Sequence, residues 1–135
     1  MTTAVRPPAL LPHPALASMD AVLAAPLREL AVAVFAVACA GKEPGMVTPA
    51  SSGSEAIIAV SEILAAQPGE TRKASRLVPE LSLPVEEAAQ VLAASGLIIA
   101  KQRGSTDLAW YLTRRGARAL ASPDPLAWIS APADP

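Results

Sequence analysis

The fold of this chain is decided by residues 74–120, which read ASRLVPELSLPVEEAAQVLAASGLIIAKQRGSTDLAWYLTRRGARAL. The beginning of the stretch has the apolar spacing of one helical face, at Ala74, Leu77, Val78 and Leu81. Pro79 lacks a backbone N–H and clashes with the preceding turn, so a long helix is not expected to run through it. We therefore predict a short helix over residues 74–81.

A second helix is predicted over residues 84–95. Ser82 can cap it by accepting a hydrogen bond from a free backbone N–H, and Pro84 is tolerated in a first turn. Gly96 is the residue type that most often ends a helix in the left-handed conformation. Ser82 and Leu83 are then the turn between the two helices.

The sequence period changes after the second helix, because residues 97–103 and 108–113 are rich in β-forming residues. Between them, residues 104–107 have the composition of a hairpin loop. Thr113 is a good N-cap for a last helix over residues 114–121. Two helices joined by a short turn and followed by a two-stranded ribbon make a winged helix-turn-helix. The predicted fold is therefore mainly α with a β-hairpin wing.

Two short motifs in this stretch resemble winged-helix transcription regulators of the MarR, PadR and ArsR groups. The first is ASGLI at residues 94–98, and the second is YLTRRGARAL at residues 111–120, after the hairpin. Members of these groups often carry GLI, then the wing, then a Y-x-L-T-x-x-G motif. The resemblance covers about a third of the chain. It implies a DNA-binding transcriptional regulator.

The winged helix-turn-helix domain is predicted to span residues 54–121. Its first helix covers residues 55–67, with Ser54 as the expected N-cap and a stop at the Pro-Gly pair that follows. Residues 42–53 contain Pro, Gly and Ser at positions that break regular structure. They are predicted to be a linker.

An uncharged apolar run over residues 30–41 precedes the linker, within a helical segment predicted over residues 18–41. A membrane span needs about 20 apolar residues, and the Arg-Glu pair before this run leaves about half that length. A helix that is apolar on all sides is buried on all sides. In a chain this small we expect a second copy to cover it, in a homodimer interface formed by Leu27, Leu30, Val34, Phe35 and Val37.

The two ends of the chain are predicted to be Pro-rich tails without a fold of their own, at residues 1–17 and 122–135. Fourteen prolines are many for 135 residues, and they cluster at both ends. The alternative is that the tails dock. Trp128 and Ile129 would then anchor the C-terminal tail, either on a partner or back on the domain.

The residue types in this sequence give little support for a catalytic function. The one histidine, His13, lies between two prolines, and no cysteine pair or histidine–carboxylate cluster has metal-ligand spacing. The single cysteine, Cys39, excludes an intramolecular disulfide and suits a reducing cytoplasm. Its apolar neighbours indicate a buried, inert thiol rather than a redox sensor. We predict a cytoplasmic protein that is not an enzyme and that has no cofactor, metal or membrane segment.

The charge distribution favours nucleic acid at the predicted winged domain. The chain has a net charge of −1. Residues 70–120 hold eight cationic and five acidic side chains, a local excess of +3, while the remaining residues are acidic in sum. Phosphate and minor-groove contacts are expected from the start of the helix predicted over residues 74–81 and from the wing, at Arg72, Lys73, Arg76, Lys101 and Arg103. The same excess is also compatible with an ordinary solvated surface.

The helix expected to enter the major groove, residues 84–95, departs from the family pattern because it contains no Arg or Lys. It offers Glu86, Glu87 and Gln90 to the bases, where Gln can bind adenine and Glu can accept from cytosine N4. We predict a homodimeric transcriptional regulator on double-stranded DNA, at a palindromic site with half-sites about one helical turn apart. The alternative is a winged-helix adaptor, or small subunit of a larger assembly, that binds protein without binding DNA.

Overall fold

The computed structural model describes residues 13–103 and 107–129 of the chain. In this part, the regular elements are α1 Met19–Ala24, α2 Leu27–Cys39, β1 Ser51–Ser52, α3 Gly53–Ala65, α4 Ala74–Ala94, β2 Ile98–Arg103, β3 Asp107–Leu112 and α5 Arg114–Ala121. Short 3-10 turns at Pro14–Leu16 and Pro125–Trp128 flank them. Most of the predicted N-terminal tail, the hairpin loop at residues 104–106, residues 130–135 and the side chain of Arg103 lie outside the described residues.

The helix α2 is the centre of the core. Leu30, Val34 and Phe35 are at most 4% exposed, because α3, α4 and both 3-10 turns pack around this helix. Leu27 and Val37 are half-buried against the same core. The uncharged run that begins at Leu30 is therefore largely buried, as its composition indicates, but its cover comes from its own chain. The physical reason for expecting a second copy at these five residues no longer holds, and a homodimer stays a prediction.

Within the described residues, no helix combines the length and the apolar character that crossing a membrane requires.

The three strands form one antiparallel sheet in the order β1-β3-β2. The hairpin predicted from the sequence is confirmed, with residues 98–103 opposite residues 107–112. The strand β1 was not predicted. It falls inside the expected linker, residues 42–53, where Ser51 pairs with Trp110 of β3. The end of this segment is thus an edge strand of the same sheet.

The helix α4 is one helix of 21 residues, so the turn predicted at Ser82 and Leu83 was wrong. Pro79 and Pro84 both lie inside the helix, where a proline costs about 3 kcal/mol. A buried stripe that runs past both prolines offsets this cost, since each buried Leu contributes about 1.5–3 kcal/mol. Five residues of this stripe are at most 1% exposed, namely Leu77, Leu81, Val85, Ala88 and Leu92. A turn after the second of them would break the stripe.

Most of the helix caps and helix ends predicted from the sequence are present in the structure. The Oγ1 of Thr113 caps α5 by accepting a hydrogen bond from the Gly116 N–H at 2.8 Å. Gly96 has a φ of +75° directly after α4, which is the left-handed ending expected of it. The cap of α3 is Ser52 rather than Ser54, because the Ser52 Oγ accepts a backbone N–H of the first turn at 3.1 Å. The helix accordingly begins two residues earlier than predicted.

Parts of both predicted tails pack on the domain. Leu16 is 1% exposed and Ile129 is 4% exposed. The Nη2 of Arg28 donates to the Ile129 carbonyl at 3.4 Å, and both 3-10 turns contact α2. The structure therefore includes residues 13–17 and 122–129 in the folded domain, where free tails were predicted.

Candidate functional site

The exposed side of α4 next to the hairpin is acidic. Glu86, Glu87 and Gln90 are exposed there, and Leu83 is 65% exposed between them and the start of the helix. At about 100° per residue, these four positions fall within one arc of about 100°. Arg76, in the first turn, is the one basic residue of α4. The later turns of this face therefore present carboxylates and an amide to solvent.

A cleft of about 360 Å³ lies between the start of α3, the later part of α4 and the hairpin. The buried part of its lining is apolar and includes Val85, Ala89 and Trp110. Ala93 and Leu108 line it from more exposed positions, and Leu108 is 41% exposed. Its volume is at the small end of the range for ligand-sized sites. The cleft suits one or two apolar side chains.

Two carboxylates line the cleft, and the described residues that line it include no cation. The Oδ1 of Asp107 accepts hydrogen bonds from the Ser54 N–H at 3.1 Å and from the Leu108 N–H at 3.0 Å. This carboxylate therefore lies at the N-terminus of α3, where the helix dipole favours negative charge. Glu86 has no hydrogen bond or ion pair within the described part of the chain. Its charge is available to a molecule in the cleft.

Trp110 connects the cleft to the sheet. It is fully buried, it lines the cleft, and it pairs with Ser51 on one side and Ala100 on the other. Its indole Nε1 has no hydrogen-bond acceptor among the described residues. A buried donor left unpaired costs about 1–3 kcal/mol. Because Nε1 is buried with the rest of the ring, this donor is not exposed to the cleft.

Arg72, predicted to bind phosphate, is engaged within the chain. Its Nε lies 3.1 Å from Glu70 Oε2, and its Nη1 lies 2.8 Å from Glu80 Oε2. The hydrogen bonds that Arg72 donates hold the pKa of the Glu70 carboxyl below its usual value. The hydrogen bond to Glu70 in turn raises the pKa of Arg72. This guanidinium already faces two carboxylates, so it is poorly placed to neutralise a phosphate.

Three of the other four predicted phosphate contacts, Lys73, Arg76 and Lys101, are exposed and do not line the cleft. Lys73 is the N-cap of α4, and Arg76 lies about 9 Å along the helix axis from Ser82, the first cleft residue of α4. Lys101 is exposed on β2. Arg103 ends β2, and its side chain lies outside the described residues. Of the predicted base contacts, Glu86 and Gln90 line the cleft and Glu87 does not.

The role of Arg115 was missed by the sequence analysis, which counted it only as a positive charge. Its Nε donates to the Ser95 carbonyl at 2.9 Å, and its Nη2 donates to the Trp128 carbonyl at 3.0 Å. The guanidinium also lies 5.1 Å from the centroid of the Trp128 ring. Trp128 could have pointed to this role of Arg115, because docking of the Trp128 segment back on the domain was one of the expected alternatives. Arg115 holds the C-terminal segment in place.

Cys39 and His13, the residues that could support other chemistry, have structural roles in the fold. Burial raises the pKa of the Cys39 thiol to about 11, and the side chain is fully buried. The prediction of a buried, unreactive thiol is therefore confirmed as far as burial is concerned. The Nδ1 of His13 accepts from the Ala15 N–H at 3.0 Å. In the part of the chain that the structure describes, no three potential metal-ligating side chains come together.

Comparison of the chain with family models, curated proteins and solved structures finds no match. The winged-helix resemblance therefore receives no support from a relative. A function for this chain therefore has to follow from its geometry and charge. Both point to the acidic face of α4 and the cleft beside it.

Proposed function

We propose that this chain is a winged-helix domain that binds a protein partner through the acidic face of α4 and the adjoining cleft. One observation carries the proposal. From Leu83 onward, the exposed side of the helix beside the hairpin presents Glu86, Glu87 and Gln90 and no cation, while Arg76, the cation of this face, lies in the first turn. This is the side that a DNA-binding winged domain would turn towards the phosphates. Carboxylates there repel phosphate and favour a cationic partner.

The order of the elements supports the winged layout. Helices α3 and α4 follow one another through a short connection, residues 66–73, and the hairpin comes directly after α4. The helix pair is therefore α3 and α4, and not the two halves of α4 that the sequence suggested. The edge strand β1 joins the hairpin in a three-stranded sheet. A long helix with one exposed side next to a hairpin is the arrangement that winged domains use for recognition.

Double-stranded DNA is the second candidate, favoured by the position of α4 and by three exposed cations, Lys73, Arg76 and Lys101. Tight DNA binding depends on many phosphate contacts, because each one releases counterions. The ion pairs of Arg72 remove one expected contact. Glu86 and Glu87 add repulsion where the helix would approach the groove. The balance of charge on this face therefore favours protein over DNA.

The test is titration of a short random-sequence duplex with the full chain, followed by fluorescence anisotropy at about 50 mM and about 200 mM salt. We expect binding weaker than about 10⁻⁴ M at the higher salt, which is the weak limit of non-specific DNA binding. We also expect Arg76→Ala and Lys101→Ala to leave the titration unchanged. Saturable binding that weakens steeply with salt, and that either substitution reduces, would assign the domain to DNA.

A further inference from the structure

We propose that the cleft between α3, α4 and the hairpin is a docking site for a short segment of a partner protein in which a large apolar side chain is flanked by Lys or Arg. This inference rests on the proposed protein-binding function and names the chemistry of the partner. It commits to a segment of another protein rather than to a second copy of this chain.

The apolar part of the recognition follows from the lining. Val85, Ala89 and Trp110 are buried beneath the opening, and Ala93 and Leu108 extend the apolar surface to solvent. Burial of apolar surface is favourable roughly in proportion to the area removed from water. Filling about 360 Å³ takes one or two side chains. A Leu or Phe that enters the cleft would also cover Leu108, which is 41% exposed in the free chain.

The cationic part follows from the charges at the opening. Among the described residues that line the cleft, Glu86 and Asp107 are the charged ones. The Asp107 carboxylate is held at the start of α3, while Glu86 has no partner in the described part of the chain. Glu87 lies on the adjacent exposed surface of α4. A Lys or Arg next to the apolar side chain would meet negative charge, whereas an acidic segment would meet repulsion.

The apolar and the charged parts of the recognition share one opening, because Leu108 and Val85 line the cleft beside Asp107 and Glu86. A peptide therefore supplies two things that the cleft lacks: apolar volume and positive charge.

The experiment uses Trp110 as the reporter. The chain has two tryptophans, so the full chain with Trp128→Phe leaves Trp110 as the one tryptophan, in the wall of the cleft. This protein is titrated with short synthetic peptides that carry a central Leu or Phe flanked by Lys and Arg. Two control peptides replace either the basic residues by Glu or the apolar residue by Ser. We expect a saturable change in Trp110 emission with the basic apolar peptides alone.

Matched pairs of substitutions on α4 locate the binding site. Glu86→Gln removes a charge from the cleft and should weaken peptide binding about two- to fivefold, as expected for an exposed ion pair. Glu87→Gln removes the same charge from outside the cleft and should change little. Ala93→Leu fills the cleft and should weaken binding at least about tenfold, whereas Ala94→Leu, one position further on the exposed surface, should not.

Every outcome other than those expected overturns the inference, and the outcomes can be told apart. Equal effects within the two pairs, or equal binding of the acidic peptide, would show that the cleft is not the site. Self-association that Ala93→Leu abolishes would assign the cleft to a second copy of the chain. Absence of peptide binding overturns this inference alone. Saturable, salt-sensitive binding of random duplex DNA in the same emission assay would overturn the proposed function as well.

Discussion

The Cα of Gly116 lies so close to the carbonyl group of Leu97 that a methyl group on Gly116 would overlap with the Leu97 oxygen. The Thr113 Oγ1 reinforces this contact, since it donates to the Gly96 carbonyl at 2.6 Å and accepts from the Gly116 N–H at 2.8 Å. The Leu-Thr-x-x-Gly motif thus joins the start of α5 to the end of α4. In this chain the motif has a structural role in the domain.

Gly116→Ala is the most direct test of that close approach. An alanine normally stabilises a helix relative to glycine by about 1 kcal/mol. Here the added Cβ meets backbone atoms that cannot rotate away, so we expect a loss of about 3 kcal/mol in the free energy of unfolding. Urea denaturation followed by circular dichroism measures it. Ala121→Ser, at an exposed position of the same helix, should change the free energy by less than about 0.5 kcal/mol. Stabilisation by Gly116→Ala would contradict the packing described.

Arg115 and Arg114 form a matched pair for the attachment of the C-terminal segment. Arg115→Ala removes two hydrogen bonds to carbonyl groups and the contact with the Trp128 ring. We expect a loss of about 1–3 kcal/mol and a change in Trp128 emission. Arg114 is exposed, so Arg114→Ala should alter neither quantity. Arg115→Lys should behave like the alanine variant, because lysine lacks the planar fork. Equal effects at both positions would contradict the role of Arg115.

Cys39 gives a prediction for the dependence of stability on pH. Burial raises the pKa of the thiol in the folded chain to about 11, from its ordinary value of 9.0. The unfolded chain therefore ionises first, so the stabilisation is complete below pH 9 and is lost as the pH rises towards 11. Between neutral pH and pH 10, we expect the wild type to lose about 1 kcal/mol more than Cys39→Ala does. Urea denaturation of both proteins at the two pH values measures this difference. Parallel losses in the two proteins would show that the thiol is accessible.

Pro79→Ala tests whether α4 is continuous. Pro79 is exposed inside the helix, so alanine would restore a hydrogen bond without leaving a cavity. We expect stabilisation by about 2 kcal/mol in thermal or urea denaturation. Pro84 is buried, so Pro84→Ala should gain less. If a turn followed Leu81, Pro79 would lie near a helix end, and its replacement would change stability by less than about 0.5 kcal/mol.

Local signals of the sequence were reliable where they depend on near neighbours. The hairpin, the Thr113 cap and the left-handed Gly96 follow from residue types within a few positions of each other. The turn predicted at residues 82–83 was wrong because the prediction weighed only local signals, namely Pro79, Ser82 and Pro84. The burial of Leu77, Leu81 and Val85 against α2 and α3, which favours one helix, is a tertiary effect that no local pattern contains.

The candidate site was foreseen only in part for the same reason. Glu86 and Gln90 were selected from their helix, although for contact with bases. Asp107 and Trp110 were predicted only as parts of the hairpin. Their position beside α3 and α4, where all of them line one cleft, depends on the tertiary fold. The apolar helix α2 was correctly expected to be buried. Whether the same chain or a second copy covers this helix depends on tertiary packing. Here the cover comes from α3, α4 and the two 3-10 turns of the same chain.

The central claim is that carboxylates on the exposed face of α4 exclude DNA from a helix that is otherwise placed to receive it. The most direct measurement compares the wild type with Glu86→Lys/Glu87→Lys on the same random duplex, by anisotropy at about 50 mM and about 200 mM salt. The account predicts no saturable binding by the wild type at either salt, and salt-sensitive binding by the double variant. Saturable, salt-sensitive binding by the wild type, with little further gain in the variant, would contradict it.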